Sequence, residues 1–197
     1  LTVSPLIQMD DKGEEKMGKA ANSSISLKQI HVTDNFWNKY VHLVKDVIIP
    51  YQWDILNDKL EDVETSHCIE NFKIAAGEKE GEFQGAVFQD TDVAKWLEAV
   101  GFVLNYERDE KLEELADETI ELIGRAQQPD GYLNTYFTIK EPDGRWSNLM
   151  EGHELYTAGH MIEAAVAYYE ATGKRRFLEL SLIHISEPTR RRGISYA

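Results

Sequence analysis

A chain of 197 residues with 42% hydrophobic and 28% charged residues has the balance of a soluble globular protein with one ordinary core. Its formal charge of −14, from 35 acidic against 21 basic residues, repels phosphate backbones and argues against a nucleic-acid partner, while a neutral substrate such as a sugar remains open. No apolar run approaches the roughly 20 residues a bilayer requires, and the single cysteine, Cys68, excludes an internal disulfide and a multi-cysteine zinc site built from this chain alone.

Residues 1–24 are polar, rich in Lys and Glu, and read as a mobile leader. They show no basic region followed by an apolar stretch, so no signal peptide is visible and a cytoplasmic location is expected. Ile25/Leu27 and Ile30/Val32 form two alternating pairs out of phase with each other, which predicts one short, irregular strand. Asp34 is placed to cap a helix carrying Phe36, Tyr40, Val44 and Val47. Pro50 ends or kinks it, and Tyr51–Leu60 predicts a second helix. Ser66 is the expected cap of a helix over Cys68–Ala76, with Gly77 at its end.

Asp90 or Thr91 opens the clearest helix, with Val93, Trp96, Leu97, Val100 and Leu104 on one stripe. Asp109 opens the next, through Leu112, Leu115, Ile120 and Ile123, and Pro129-Asp130-Gly131 has the composition of a turn. Tyr132–Met150 contains Pro142 and Gly144 without a sustained period and reads as a long loop with room for a short hairpin. His153 begins a strong helix through Met161, Ala165 and Tyr169 that stops at Thr172-Gly173, and another helix starts at Lys174.

Two helix pairs look alike. Val103-Leu104-Asn105-Tyr106-Glu107, a charged turn and Leu112-Glu113-Glu114-Leu115 parallel Ala167-Tyr168-Tyr169-Glu170, a Gly turn and Phe177-Leu178-Glu179-Leu180. The expected fold class is therefore all-α, with helical hairpins side by side. Closed into a ring they make an α/α toroid, but a bundle or an open solenoid gives the same local pattern. Leu180–Arg190, LSLIHISEPTR, resembles the translation of a sequencing adapter. Residues 180–197 are accordingly expected to be a non-native tail.

Few residues invite a chemical reading. Asp90 and Asp92 could form a carboxylate pair, but a cap and a first-turn charge explain them better, with Asp92 kept as a candidate lining a pocket. Trp96 on its stripe reads as core. Tyr132, in an Asp-Gly-Tyr turn, is a candidate pocket wall or a loop anchor. Cys68 reads as a small core residue. His67 is unassigned, and so is His160, which falls on roughly the same helix face as His153.

The stretches Ile49-Pro50-Tyr51-Gln52-Trp53, Glu70-Asn71-Phe72-Lys73, Phe88-Gln89-Asp90-Thr91-Asp92, Gln128-Pro129-Asp130-Gly131-Tyr132 and His153-Glu154-Leu155-Tyr156-Thr157-Ala158-Gly159-His160, in this order, closely resemble the start of the catalytic domain of glycoside hydrolase family 127, the β-L-arabinofuranosidase family. The resemblance runs from about Ile30 to Glu179. It implies that residues 25–179 are the first part of an (α/α)6 barrel, a partial and truncated one, followed in the family by β-sandwich domains. It also implies a retaining exo-glycosidase that releases terminal β-L-arabinofuranose from an arabinose-containing glycan.

In that family a glutamate and cysteines hold zinc, one zinc-bound cysteine is the nucleophile and a separate glutamate is the acid/base. Zinc keeps a thiol as thiolate near neutral pH, so this chemistry departs from the usual two-carboxylate arrangement. Those residues lie in the family beyond the end of this chain. No catalytic residue, no zinc ligand and no activity are therefore expected here, and Cys68 matches none of the zinc cysteines. One role carries over: His153 corresponds to a histidine that hydrogen-bonds the arabinose ring, a task suited to an imidazole with one donor and one acceptor. The substrate-binding candidates are His153, Tyr132 and Asp92. The competing readings are a non-catalytic helical carbohydrate-binding or scaffold domain, and another α/α-barrel sugar enzyme such as an unsaturated-glycuronyl hydrolase or an epimerase. The latter needs an early carboxylate or His pair that has no convincing counterpart here.

Overall fold

The computed structural model describes residues 25–181 together with Gln8–Met9 and Glu15–Lys16, which pair as a two-residue antiparallel ladder. The rest of the expected leader, and residues 182–197 of the expected tail, lie outside the described residues. Everything else is helix and connection: α1 Asn35–Leu43, α2 Ile49–Leu56, α3 Cys68–Ala75, α4 Asp90–Tyr106, α5 Glu110–Ala126, α6 Thr135–Ile139, α7 Glu154–Thr172, and a last helix over residues 176–181. The all-α expectation holds.

The strand expected near Ile25–Val32 is replaced by a 3-10 turn over Leu27–Gln29. Among the described residues no second strand lies beside these, and the backbone closes on itself instead, with Gln29 N–H donating to Ser26 O and Ile30 N–H to Leu27 O. Asp34 caps α1, its carboxylate accepting from the N–H groups of Phe36 and Trp37. Pro50 does not break the helix. It sits at the start of α2 directly after a π turn over Val44–Ile48, and the widened turn makes room for a ring that would clash in regular α geometry. Ser66 does not cap α3. His67 holds that position in a left-handed conformation, and the Ser66 hydroxyl accepts from Gln89 Nε2. The 132–150 loop forms α6 and a 3-10 turn over Pro142–Gly144 rather than a hairpin.

Two helical hairpins stand side by side. In the first, α4 turns into α5 at Asp109, whose carboxylate accepts from Leu112 N–H. In the second, α7 ends at Gly173, whose φ of +76° suits glycine, and the last helix follows. Cross-contacts ascend together along both hairpins. Lys95 meets Tyr156 and Gly101 faces Ala167, so α4 and α7 run in the same direction. Asp117 meets Lys174, just before the last helix, and Glu121 meets Arg176 within it, so α5 and the last helix do likewise. Tyr168 of α7 reaches α5, its hydroxyl donating to Asp117. The core between the hairpins contains Val93, Leu97, Val100, Ile120, Ile123, Met161, Ala165 and Phe177.

The α1–α2 segment packs on α4 through the tilted ring pair Trp53–Trp96, and buried Trp96 donates its Nε1–H to Ile49 O. Its outer side is different. Phe36, Trp37, Tyr40, Leu43, Val47 and Tyr51 are exposed, and the first three touch one another.

Candidate sugar-binding site

Three N-termini and one loop converge at one end of the hairpins. Asp90, the first residue of α4, does not cap its own helix as expected. Both carboxylate oxygens turn to Thr135 at the start of α6, accepting from its N–H at 2.7 Å and its hydroxyl at 2.5 Å. Burial drives the Asp90 pKa up to about 6, against the two Thr135 hydrogen bonds, which lower it. Glu154, the first residue of α7, is 1% exposed. It accepts from the Tyr132 hydroxyl at 2.5 Å and from Trp146 N–H at 2.8 Å. The Tyr132 ring carries Arg145 on its face and Trp146 on its edge.

Tyr132 is thus an anchor beneath its loop. Burial and the bond to Glu154 raise the pKa of its hydroxyl, which stays a donor. Through Glu154 it is tied to the start of α7 and so to the residue next to Glu154.

That residue is His153, which precedes α7 with φ +50°. The left-handed backbone swings its half-buried ring out of the helix, edge-on to Phe88 and Tyr156 at 5.2 and 5.9 Å. The imidazole does not cap α7, and no side-chain hydrogen bond engages it among the described residues. A donor and an acceptor are therefore presented beside two aromatic rings.

Asp92, in the first turn of α4, lines a cleft of about 740 Å³ with Gln52, Thr65, Ser66, Gln89 and Lys95. Its carboxylate accepts from Gln89 Nε2 at 2.7 Å. Desolvation raises its pKa, while Lys95 opposes the shift. Lys95 joins the two places: its ammonium donates to Tyr156 Oη at 3.2 Å and to Thr91 Oγ1 at 3.3 Å. His153, Phe88 and Tyr156 do not themselves line the Asp92 cleft, and Lys95 is the link between the two places, while Tyr132 is tied to the start of α7 through Glu154. Gln89, Lys95, Phe88 and Tyr156 were not picked out as candidates. Lys95 and Tyr156 lie 61 residues apart, and only helix packing makes them neighbours.

The family zinc set does not fit the residues present. Cys68 is fully buried, its thiol donates to Gln89 O, and desolvation pushes its pKa up, so it stays protonated. Elsewhere, Glu98 of α4 with His160 and Glu163 of α7 brings three donor atoms within 4.8 Å of one another, a group able to hold a metal ion.

Residues 29–183 match the family described as "Beta-L-arabinofuranosidase, GH127 catalytic domain". The chain belongs to this family. It is 41% identical to the non-reducing end beta-L-arabinofuranosidase of Bifidobacterium longum subsp. longum, a match covering 77% of this chain and 26% of that protein. Among solved structures, a GH127 beta-L-arabinofuranosidase from Geobacillus stearothermophilus T6 is similar at 64% identity and a TM-score of 0.77, covering 78% of this chain and 24% of that one. A second GH127 beta-arabinofuranosidase aligns at 34% identity and a TM-score of 0.76, over 84% of this chain and 26% of its own. The chain thus spans about a quarter of the length of these relatives. Among the described residues no helix is long and apolar enough to cross a membrane.

Proposed function

We propose that this chain is the first part of a retaining exo-β-L-arabinofuranosidase, that residues 25–179 contribute the opening hairpins of an (α/α)6 barrel, and that they supply sugar contacts rather than bond-breaking groups. Membership of the family supports the activity, and two hairpins with both helices aligned in the same sense support a ring. The observation that carries the site is the unengaged His153 imidazole held out beside Phe88 and Tyr156.

In this reading His153 exchanges hydrogen bonds with hydroxyls of a terminal arabinofuranose, the rings of Phe88 and Tyr156 cover its apolar face, and Asp92 accepts from a hydroxyl across the cleft. Tyr132 and Glu154 position His153. Zinc, its cysteine ligands and the acid/base belong to the remainder of the longer protein, so the substrate class, an arabinose-containing glycan, is reached through the family. The test is hydrolysis of a β-L-arabinofuranoside by the full-length protein. Release of arabinose with retained configuration is expected. Saturable arabinoside binding without turnover overturns the enzyme reading in favour of a binding domain.

A further inference from the structure

We propose that Glu98, His160 and Glu163 form a binding site for a divalent transition-metal ion of the zinc class that clamps α4 to α7. The site is separate from the glutamate–cysteine zinc set of the family, and it departs from the expectation that this chain holds no metal ligand. His160 and Glu163 lie one turn apart on α7, and Glu98 faces them from α4 across the most extensive helix–helix interface among the described elements. Their donor atoms, one per residue, all fall within 4.8 Å of one another.

Two ligands about 2.1 Å from a tetrahedral ion stand roughly 3.4 Å apart. His160 Nδ1 and Glu163 Oε2 are already 3.2 Å apart. A rotamer adjustment of Glu98, on the neighbouring helix, closes the set.

Independent observations indicate that something is needed there. His160 Nδ1 is shielded from solvent, with no described partner but the exposed Glu163 carboxylate 3.2 Å away, and the half-buried Glu98 makes no hydrogen bond or ion pair among the described residues. The ammonium of Lys95, three residues before Glu98 on α4, is directed to Thr91 and Tyr156 rather than into an ion pair with Glu98. An imidazole with two carboxylates suits zinc or cobalt better than calcium, which takes oxygen ligands only. Three protein ligands leave a position for water. The edge of the Tyr156 ring packs on His160 at 4.6 Å, and the same ring meets His153, so an ion here also steadies the aromatic wall one turn away.

The test is calorimetric titration of the 197-residue chain with zinc chloride, followed by melting with zinc and with excess EDTA. One equivalent should bind, and zinc should raise Tm relative to EDTA. Glu163→Gln and His160→Gln should each weaken zinc binding about tenfold or more, since even outer-shell changes at metal sites have effects of that size. Because Glu163 is exposed, Glu163→Gln should melt like the parent chain in EDTA. No saturable binding, or affinity and stoichiometry unchanged in both variants, overturns the site.

Discussion

His153 is where a single side chain separates binding from structure. Its ring touches Phe88 and Tyr156 but bonds to neither, so on the proposed sugar-binding reading His153→Ala removes a ligand contact more than a structural one. Both residues carry a Cβ, so the strain of the left-handed backbone is nearly unchanged. If the full-length protein is the proposed arabinofuranosidase, the variant should lose about ten- to hundredfold in kcat/KM, roughly 1–3 kcal/mol, with Tm close to the parent value. Normal kinetics with a lowered Tm would make His153 structural. Tyr132→Phe should do the opposite. It strips a donor from buried Glu154 and should destabilise by about 1–3 kcal/mol, read by denaturant unfolding, while changing kinetics only through a displaced His153. Asp90 carries a pH signature. Its folded pKa of about 6 lies above the unfolded 3.8, so its contribution to stability is fully present below about pH 4 and is lost as pH rises through 6. Unfolding free energy measured between pH 4 and 6.5 should show this falling component in the parent and not in Asp90→Asn. The family motif singles out His153, and the structure leaves its imidazole without a side-chain hydrogen bond among the described residues. That Asp90 serves α6 rather than its own helix was not, because Thr135 is 45 residues away.

At the scale of elements, local rules predicted where helices lie and mispredicted some of their ends. Asp34 and Asp109 cap as their residue type dictates, and Gly173 ends α7. Ser66 had the same credentials and lost the position to His67, because Asp58 bonds both the backbone N–H and the ring of His67. Pro50 was expected to end or kink a helix, and a π turn absorbed it. Helix packing yields its own prediction. A Cβ on Gly101 would lie 2.8 Å from the Ala167 carbonyl carbon, a backbone atom that cannot rotate away. Gly101→Ala should therefore destabilise by about 1–3 kcal/mol through overpacking, outweighing the roughly 1 kcal/mol by which Ala favours a helix interior. A rise in Tm would show that α4 and α7 are not in such close contact.

For the whole molecule, the aromatic outer side of α1 and α2 is the telling surface. Phe36 and Trp37 are 57% and 60% exposed and adjoin Tyr40, while a groove of about 480 Å³ lies between α1 and α4. Contiguous exposed apolar patches of this kind promote association. The chain by itself should bind a hydrophobic dye and self-associate with rising concentration. A soluble monomer with no dye binding at high concentration would argue that this face needs no cover. Composition and periodicity alone established an all-α, acidic chain with two similar hairpins, because helix-forming patterns and caps are local properties of the sequence. Motif order identified the family. Only the tertiary structure decided that the hairpins align in parallel, that Tyr132 is an anchor, that Lys95 joins Asp92 to the His153 wall, and that Glu98 meets His160 and Glu163. Each of these pairs residues far apart in the chain, and their proximity comes from helix packing, which no local pattern encodes.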